Sequence, residues 1–373
     1  MILSDVCEFI VDCPHSTAPD EGEGYPLIRT PNVGKGRLDL NGVHRVSESV
    51  YKQRIQRGAP RANDLIFARE APAGNVALVQ ENQTVCLGQR TVLIRPNVQK
   101  VNPQYLVYYL LSPKPQYELL GTANGATVAH VNLPAIRNLK IELPEKSVQD
   151  KIGTILVTYD DLIENNQKQI KLLEEAAQRL YKEWFVDLRF PGHENTKIVD
   201  GVPEGWRRGL LKELIRVNYG KDHKKVPDDG NIPVYGSGGL MRKCNKSLFS
   251  GEAVLIPRKG SLNNIMYVDE TFWTVDTMFY ATMKQPHTAI FVYFFVKVFD
   301  MYSMNIGAAV PSMTTKILDA MDVIIPDKET LEKFDKLTKT YFNKIKTLQG
   351  QNERLKTARN LLLPKLMNGK VEV

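Results

Sequence analysis

The chain contains a stretch that is written twice, and the second copy follows the first at an interval of 182 residues without a gap. Gly125 falls on Gly307, Ala126 on Ala308, Val128 on Val310, Ile136 on Leu318 and Pro144 on Pro326. Beyond the proline, Ile155 meets Leu337, Thr158 meets Thr340, Tyr159 meets Tyr341 and Ile163 meets Ile345. Gln167 then meets Gln349, Leu173 meets Leu355 and Leu180 meets Leu362. A repeat of this length without insertion reports two copies of one structural unit, and its period is far too long for a solenoid. The chain is therefore expected to consist of two similar halves.

In each copy the proline marks a change of periodicity. Before Pro144, Leu139, Ile141 and Leu143 alternate as a half-buried strand requires. After it, apolar residues recur at three and four, through Ile155, Tyr159, Leu162, Leu173 and Leu180. The second copy offers Leu337, Tyr341, Leu348, Leu355 and Leu362. Each seam predicts a helix of about 40 residues, or roughly 60 Å. The centre of the first is polar, with Asn165, Asn166, Gln167 and Gln169. Neither helix can bury its stripe alone, and the obvious partner is the other copy. Residues 145–186 carry 6 Lys/Arg against 8 Asp/Glu, whereas residues 327–373 carry 11 against 6, which favours pairing with each other over self-pairing. The fold class expected is α+β: two similar globular domains separated by two long antiparallel helices that form a coiled-coil spacer with internal pseudo-twofold symmetry.

Around the helices the chain divides into residues 1–144 and 203–326, two globular domains, with helical regions at 145–186 and 327–373 and a linker at 187–202. Leu3, Val6, Phe9 and Ile10 predict a short opening helix. LIFA, VAL and TVLIRP read as strands and PQYLVYYLL as an apolar helix. The same order returns in the second domain, where IPVYGSGGL matches YPLIRTPNV and AVLIPRKG matches DLIFAREA. Pro26 precedes Pro233 by 207 and Arg69 precedes Arg258 by 189, so the offset slides before it locks at 182. The domains share a fold but differ in their loops; the helices hold one register.

No signature of catalysis is present: no G-x-x-x-x-G-K-[ST] phosphate loop, no G-x-S-x-G elbow, no H-E-x-x-H and no Asn/Asp-Pro-Pro-aromatic motif. Four dispersed cysteines without a C-x-x-C pair predict idle thiols in a reducing, cytoplasmic setting, and neither a metal nor a bound cofactor is expected. No apolar run is long enough for a membrane span, and MILSDVCEF lacks a basic signal-peptide start. A net charge of +7 suits a polyanionic partner. Recognition chemistry is what remains. Arg29, Thr30, Asn32, Lys35 and Arg37 sit in a turn with Gly34 and Gly36, where the backbone can approach a phosphate and the side chains can donate to base edges. Tyr235, Ser237, Arg242 and Lys243 occupy the matching place in the second domain. Arg69 and Arg258, the latter with Lys259, end matching strands, and Asn263 and Asn264 follow.

At this point the chain resembles the specificity subunit of a type I restriction–modification system. The resemblance rests on GATVAHVNLPAIRNLKIELP (125–144), DDLIENNQKQIKLLEEAAQRLYKEWF (160–185), VPEGW (202–206) and the closing LKTARNLLLPKLMNGKVEV (355–373), and it spans essentially the whole chain. It implies two target-recognition domains that each read half of a split sequence in double-stranded DNA, with the gap read by length alone. It also implies a subunit without catalytic activity, docking two methylation subunits that bring S-adenosylmethionine, with a motor–nuclease subunit completing the restriction complex. The first domain starts at ILSDV without an opener like Pro203–Trp206, which predicts weaker docking of one partner or docking through the C-terminus. Two rival classes are a coiled-coil adaptor that never touches DNA and a stand-alone DNA-modifying enzyme; the missing catalytic motifs argue against the second.

Overall fold

A computed structural model of the chain describes residues 1–121, 130–304 and 312–373. The glycines and small residues that open both copies of the repeat, Gly125 to Val128 and Gly307 to Val310, lie outside the described residues. The chain forms two compact units, one made of residues 1–167 with 349–373, the other of residues 168–348. The cut passes through the two long helices, Lys146–Tyr181 and Lys328–Met367, at positions 182 residues apart, so each unit contains one half of each helix.

In the first unit the opening residues form a 3-10 turn, Leu3–Val6, followed by the strand Cys7–Asp12. The expected helix over Phe9 and Ile10 is thus a strand, because Ile10 and its neighbours pair antiparallel with Thr91–Pro96. The sheet runs in the order Cys7–Asp12, Thr91–Pro96, Leu65–Ala68, Val76–Leu78, Gly36–Arg37. The second unit repeats the first four positions of that order with Ile215–Tyr219, Met278–Met283, Phe249–Pro257 and Met266–Thr274. Its sheet then continues with the hairpin Ile232–Gly236 and Gly239–Cys244. The helices Pro103–Leu111 and Ala289–Val298, apolar all round, are buried under their sheets as such composition requires.

One hydrogen bond recurs in both units. The Val131 N–H donates to Arg69 O at 3.0 Å, and the Met313 N–H donates to Arg258 O at 2.9 Å. These positions differ by 182 and 189, so the loop-dependent offset and the helix-locked offset meet at one backbone contact. The entry turns match as well: Asp5 Oδ2 accepts from the Ile2 N–H, and Glu213 Oε1 from the Leu210 N–H, both at 2.8 Å. The strand expected at Leu139–Leu143 is reduced to one bridge between Ile2 and Lys140, whereas its counterpart Asp322–Ile325 pairs with Arg207–Leu210 over four residues.

In each unit the helix halves pack together, and in the first they run antiparallel. In the first, Asp160 meets Arg359 and Asn166 meets Asn352, so partner numbers fall as helix numbers rise. In the second, Tyr181 and Trp184 both lie against Phe334, with ring centroids 6.3 and 5.8 Å apart. The seam is narrower than the periodicity predicts. Leu348 is buried, and Ile155, Tyr159, Leu173, Leu180, Tyr341, Leu355 and Leu362 are half-buried, but Leu162 and Leu337 are each 46% exposed. Ile163 and Thr338 take their places, one position further on. An α-helix drifts against a strict heptad by about 20° per repeat, so neighbouring positions compete for burial, and here each leucine loses to the residue after it.

The polar centre has a specific use. Asn166 Nδ2 donates to Asn352 Oδ1 at 2.9 Å, with both side chains buried. A buried amide pair satisfies itself in one register only, which is how an apolar seam acquires a fixed alignment. Asn166→Ala leaves the Asn352 amide without its partner and is expected to cost about 1–3 kcal/mol. Asn166→Leu with Asn352→Leu should recover most of that stability in thermal denaturation while relaxing the register, which cysteine cross-linking across the helices would report.

Candidate nucleic-acid interface

The second unit brings several of the predicted residues to one end of its six-stranded sheet. Tyr219, ending the first strand, pairs with Phe279, and Phe279 pairs with Ile256. This places the Arg258 guanidinium 5.5 Å from the centroid of the Tyr219 ring. The Arg258 and Lys259 N–H groups both donate to Thr277 O, and the Lys259 side chain is exposed. The hairpin tip joins them: Asn264 Nδ2 donates to Ser237 O at 2.8 Å, and a Cβ on Gly260 would stand 2.7 Å from Ser237 Oγ. Gly260, at φ +84°, is required at that closure. Arg258, Lys259, Ser237 and Asn264 thus form one surface. Sequence inspection omitted Tyr219, 53% exposed, because nothing in IRVNYG distinguishes an outward ring from a core one.

Other predicted residues of this unit have different jobs. Arg242 folds back: Nη2 donates to His223 O at 2.5 Å and to Val226 O at 2.8 Å, pinning the 223–226 loop to the hairpin. The Tyr235 hydroxyl donates to Glu270 Oε1 at 2.5 Å, and burial followed by that carboxylate raises the phenol above its ordinary range. Asn263 Nδ2 donates to Asp300 Oδ1, and its Oδ1 accepts from the Met301 N–H, so it brackets a turn. Lys243 is exposed.

In the first unit the turn at 29–37 is more inward than its composition suggests. Thr30 and Asn32 are buried; Thr30 Oγ1 donates to Ala71 O, and Asn32 accepts from the Arg29 N–H and donates to Asp39 O. Arg29 is half-buried, packed so that a Cβ on Gly88 would lie 2.9 Å from its Cγ. Arg37 is ion-paired with Asp161 of the first long helix. Gly36, at φ +98°, passes so close to that helix that a Cβ would lie 2.6 Å from Asp160 Oδ2. Arg69 is 9% exposed, donating to Val131 O at 2.8 Å and Asp12 Oδ2 at 2.7 Å, with His130 Nε2 at 2.8 Å. Thr30, Asn32, Arg37 and Arg69 are therefore framework residues, and Lys35 is the exposed cation of that turn. Arg69 and Arg258 hold one framework position with opposite outcomes: a carboxylate neutralises the first, and an aromatic face leaves the second charged.

The opener at 203–206 also acquires a physical account. The Trp206 indole N–H donates to Asp327 Oδ2 at 2.9 Å, and its ring lies 4.7 Å from that of Phe190. Burial alone would raise the Asp327 carboxyl, yet hydrogen bonds from the Thr330 N–H, the Thr330 hydroxyl and the indole hold it below the usual range. Asp327 thereby caps the second long helix. Stabilisation from a depressed carboxyl is present above about pH 4 and is lost as pH falls through the lower folded value. Trp206→Phe should therefore cost about 1.5–3 kcal/mol at neutral pH. The gap from the unaltered chain should close in acid, as followed by denaturant titration at a series of pH values.

Comparison with known proteins bears on what this surface meets. Residues 1–175 and 203–357 match the model of the type I restriction modification DNA specificity domain. The MjaIX type I restriction enzyme specificity subunit of Methanocaldococcus jannaschii is 26% identical, over 89% of this chain and 83% of that protein. The HindI specificity subunit of Haemophilus influenzae is 23% identical over 84% and 87%. The crystal structure of the type I restriction–modification S subunit from M. genitalium superposes with a TM-score of 0.60 at 17% identity, covering 98% of this chain and 95% of that one. The chain belongs to the type I restriction–modification DNA specificity family. Its part is target recognition and not catalysis. Among the described residues no helix is long and apolar enough to cross a membrane, and no group of three or more His, Cys, Asp or Glu is placed to hold a metal.

Proposed function

We propose that this chain reads a bipartite target in double-stranded DNA, one half-site per domain, and docks two methylation subunits through its paired helices. S-adenosylmethionine belongs to those partners, a motor–nuclease subunit completes the restriction complex, and the assembly works in the cytoplasm. The observation that carries this reading is the duplicated unit itself. One framework, fixed by the matched bonds onto Arg69 O and Arg258 O, holds two different sets of loops. A device that reads two unrelated half-sites needs that combination; an adaptor has no use for it.

Charge on these loops should act through phosphates and base edges. Arg258→Ala is expected to weaken duplex binding by the chain with its methylation subunit while leaving its melting temperature nearly unchanged. If the contact is to a base edge, about 1–3 kcal/mol is lost and one position of the site relaxes. If it is to phosphate, all sequences weaken alike and the salt dependence flattens. Arg69→Ala should do the reverse, destabilising the fold by stripping Asp12 of its guanidinium and Val131 O of its side-chain donor. Equal effects of the two substitutions on DNA binding at fixed stability would contradict the assignment.

A further inference from the structure

The hairpin Ile232–Gly236 and Gly239–Cys244 has one irregularity, at its outer end. Val234 pairs with Arg242 and Tyr235 with Leu240, so Met241 is an extra residue on the edge strand. A bulge breaks the in–out alternation of a strand and re-aims a side chain. Here two adjacent large apolar side chains are left more than half exposed, Leu240 at 60% and Met241 at 55%, the Met241 thioether resting on Gly236 of the paired strand. An edge strand with such a tip is a hazard unless the tip has a use. The tip is also firmly held. Arg242 ties its strand to the 223–226 loop, Asn264 holds Ser237, and the Trp273 indole donates to Lys221 O at 3.0 Å. The residues around this loop and strand present five exposed lysines, Lys221, Lys224, Lys225, Lys243 and Lys246, against three exposed aspartates, Asp222, Asp228 and Asp229. Apolar tip and cationic flanks together fit a polyanion with an apolar interior.

We infer that Leu240 and Met241 form a wedge that enters a base step of the half-site read by residues 203–326, unstacking it and kinking the duplex. The inference rests on the reading of that domain as a DNA reader. Side chains of this kind kink DNA when cations fix the phosphates on both sides, and flexible pyrimidine–purine steps yield most readily. The wedge thus adds specificity for a deformable step without a hydrogen bond to any base. Among the described residues the first domain has no counterpart at the aligned position: Val33, which falls on Leu240 when Pro26 is set on Pro233, is 1% exposed. Only one half-site is therefore deformed in this way.

The test uses the full chain with its methylation subunit and a duplex carrying the sequence that the complex methylates. 2-Aminopurine is placed in turn at each position of both half-sites. Apart from the bases that the methylation subunits flip out, which brighten in both half-sites, the unaltered complex should brighten the probe at one step of one half-site and at none in the other. Leu240→Ala with Met241→Ala should abolish the signal and lower affinity roughly tenfold, whereas Leu240→Phe should keep both. Lys243→Ala should weaken binding and leave the position of the signal unchanged. Specific binding with brightening at the flipped target bases alone would overturn the wedge and leave the reading of the domain intact. Failure of the unaltered complex to bind the duplex would overturn both. Retained DNA binding and brightening in the double variant, with lost assembly of the methylation subunit, would make the tip a protein-docking surface and overturn the wedge.

Discussion

Arg359→Met is expected to destabilise the first unit by about 3–5 kcal/mol, because it strips a buried carboxylate of its ion-pair partner. Asp160 is 4% exposed; its Oδ1 is ion-paired with Arg359 Nη1, and its Oδ2 accepts from the Tyr108 hydroxyl at 2.5 Å. Three parts of the unit meet at that carboxylate: the first long helix, the second long helix and the buried helix Pro103–Leu111. The Tyr108 phenol is raised far above its ordinary range, by burial first and then by the Asp160 charge, so it stays a donor at every working pH. With methionine at 359 the carboxylate must either remain charged in an apolar site or take up a proton. At about 2–4 °C per kcal/mol for a unit of this size, the melting temperature should fall by on the order of 10 °C. Asp160→Asn in the Arg359→Met background should recover much of the loss, since the charge is then gone. No recovery in the double variant would show that Arg359 acts through packing and not through its charge.

The exposed cation of the first domain's turn, Lys35, is followed at once by Gly36, which abuts this node, and by Arg37, whose guanidinium is paired with Asp161. The loop that composition marks for DNA is thus bolted to the spacer by two adjacent aspartates. Local sequence therefore discloses some levels of this structure and not others. Periodicity located both long helices, since forty residues of apolar spacing admit few alternatives. It did not settle which of two adjacent residues, Leu162 or Ile163, Leu337 or Thr338, faces the partner, because both lie within the apolar stripe. The repeat disclosed the two halves, since a single backbone arrangement was copied. Single arginines were beyond reach. Arg69 and Arg258 end equivalent strands in similar sequence, and only the partner across the sheet, Asp12 or Tyr219, decides which is buried. Arg242 reads as a DNA contact until its guanidinium is seen on His223 O and Val226 O. Turn composition shows where donors are available, and tertiary contacts decide whether they are spent inside the fold. The opposite error befell Leu240 and Met241, ordinary apolar residues in the sequence that a bulge turns outward.

Exchange of residues 1–144 for the corresponding domain of another specificity subunit is the largest functional change that the duplicated architecture allows. The helix halves of the first unit would keep Asn166 on Asn352 and Asp160 on Arg359, provided the incoming domain supplies a hydroxyl donor where Tyr108 stands. The second domain, with its own core around Phe291, Phe334 and Trp206, would keep the loops that present Ser237, Arg258 and Lys259. Recognition by that domain should then be untouched. The measurement is methylation-sensitive sequencing of the genome of cells that express the hybrid chain with its methylation subunit. A methylated motif in which one half is new and the other is unchanged is the predicted result. A motif altered in both halves, or in neither, would contradict the account of two independent readers on one duplicated frame.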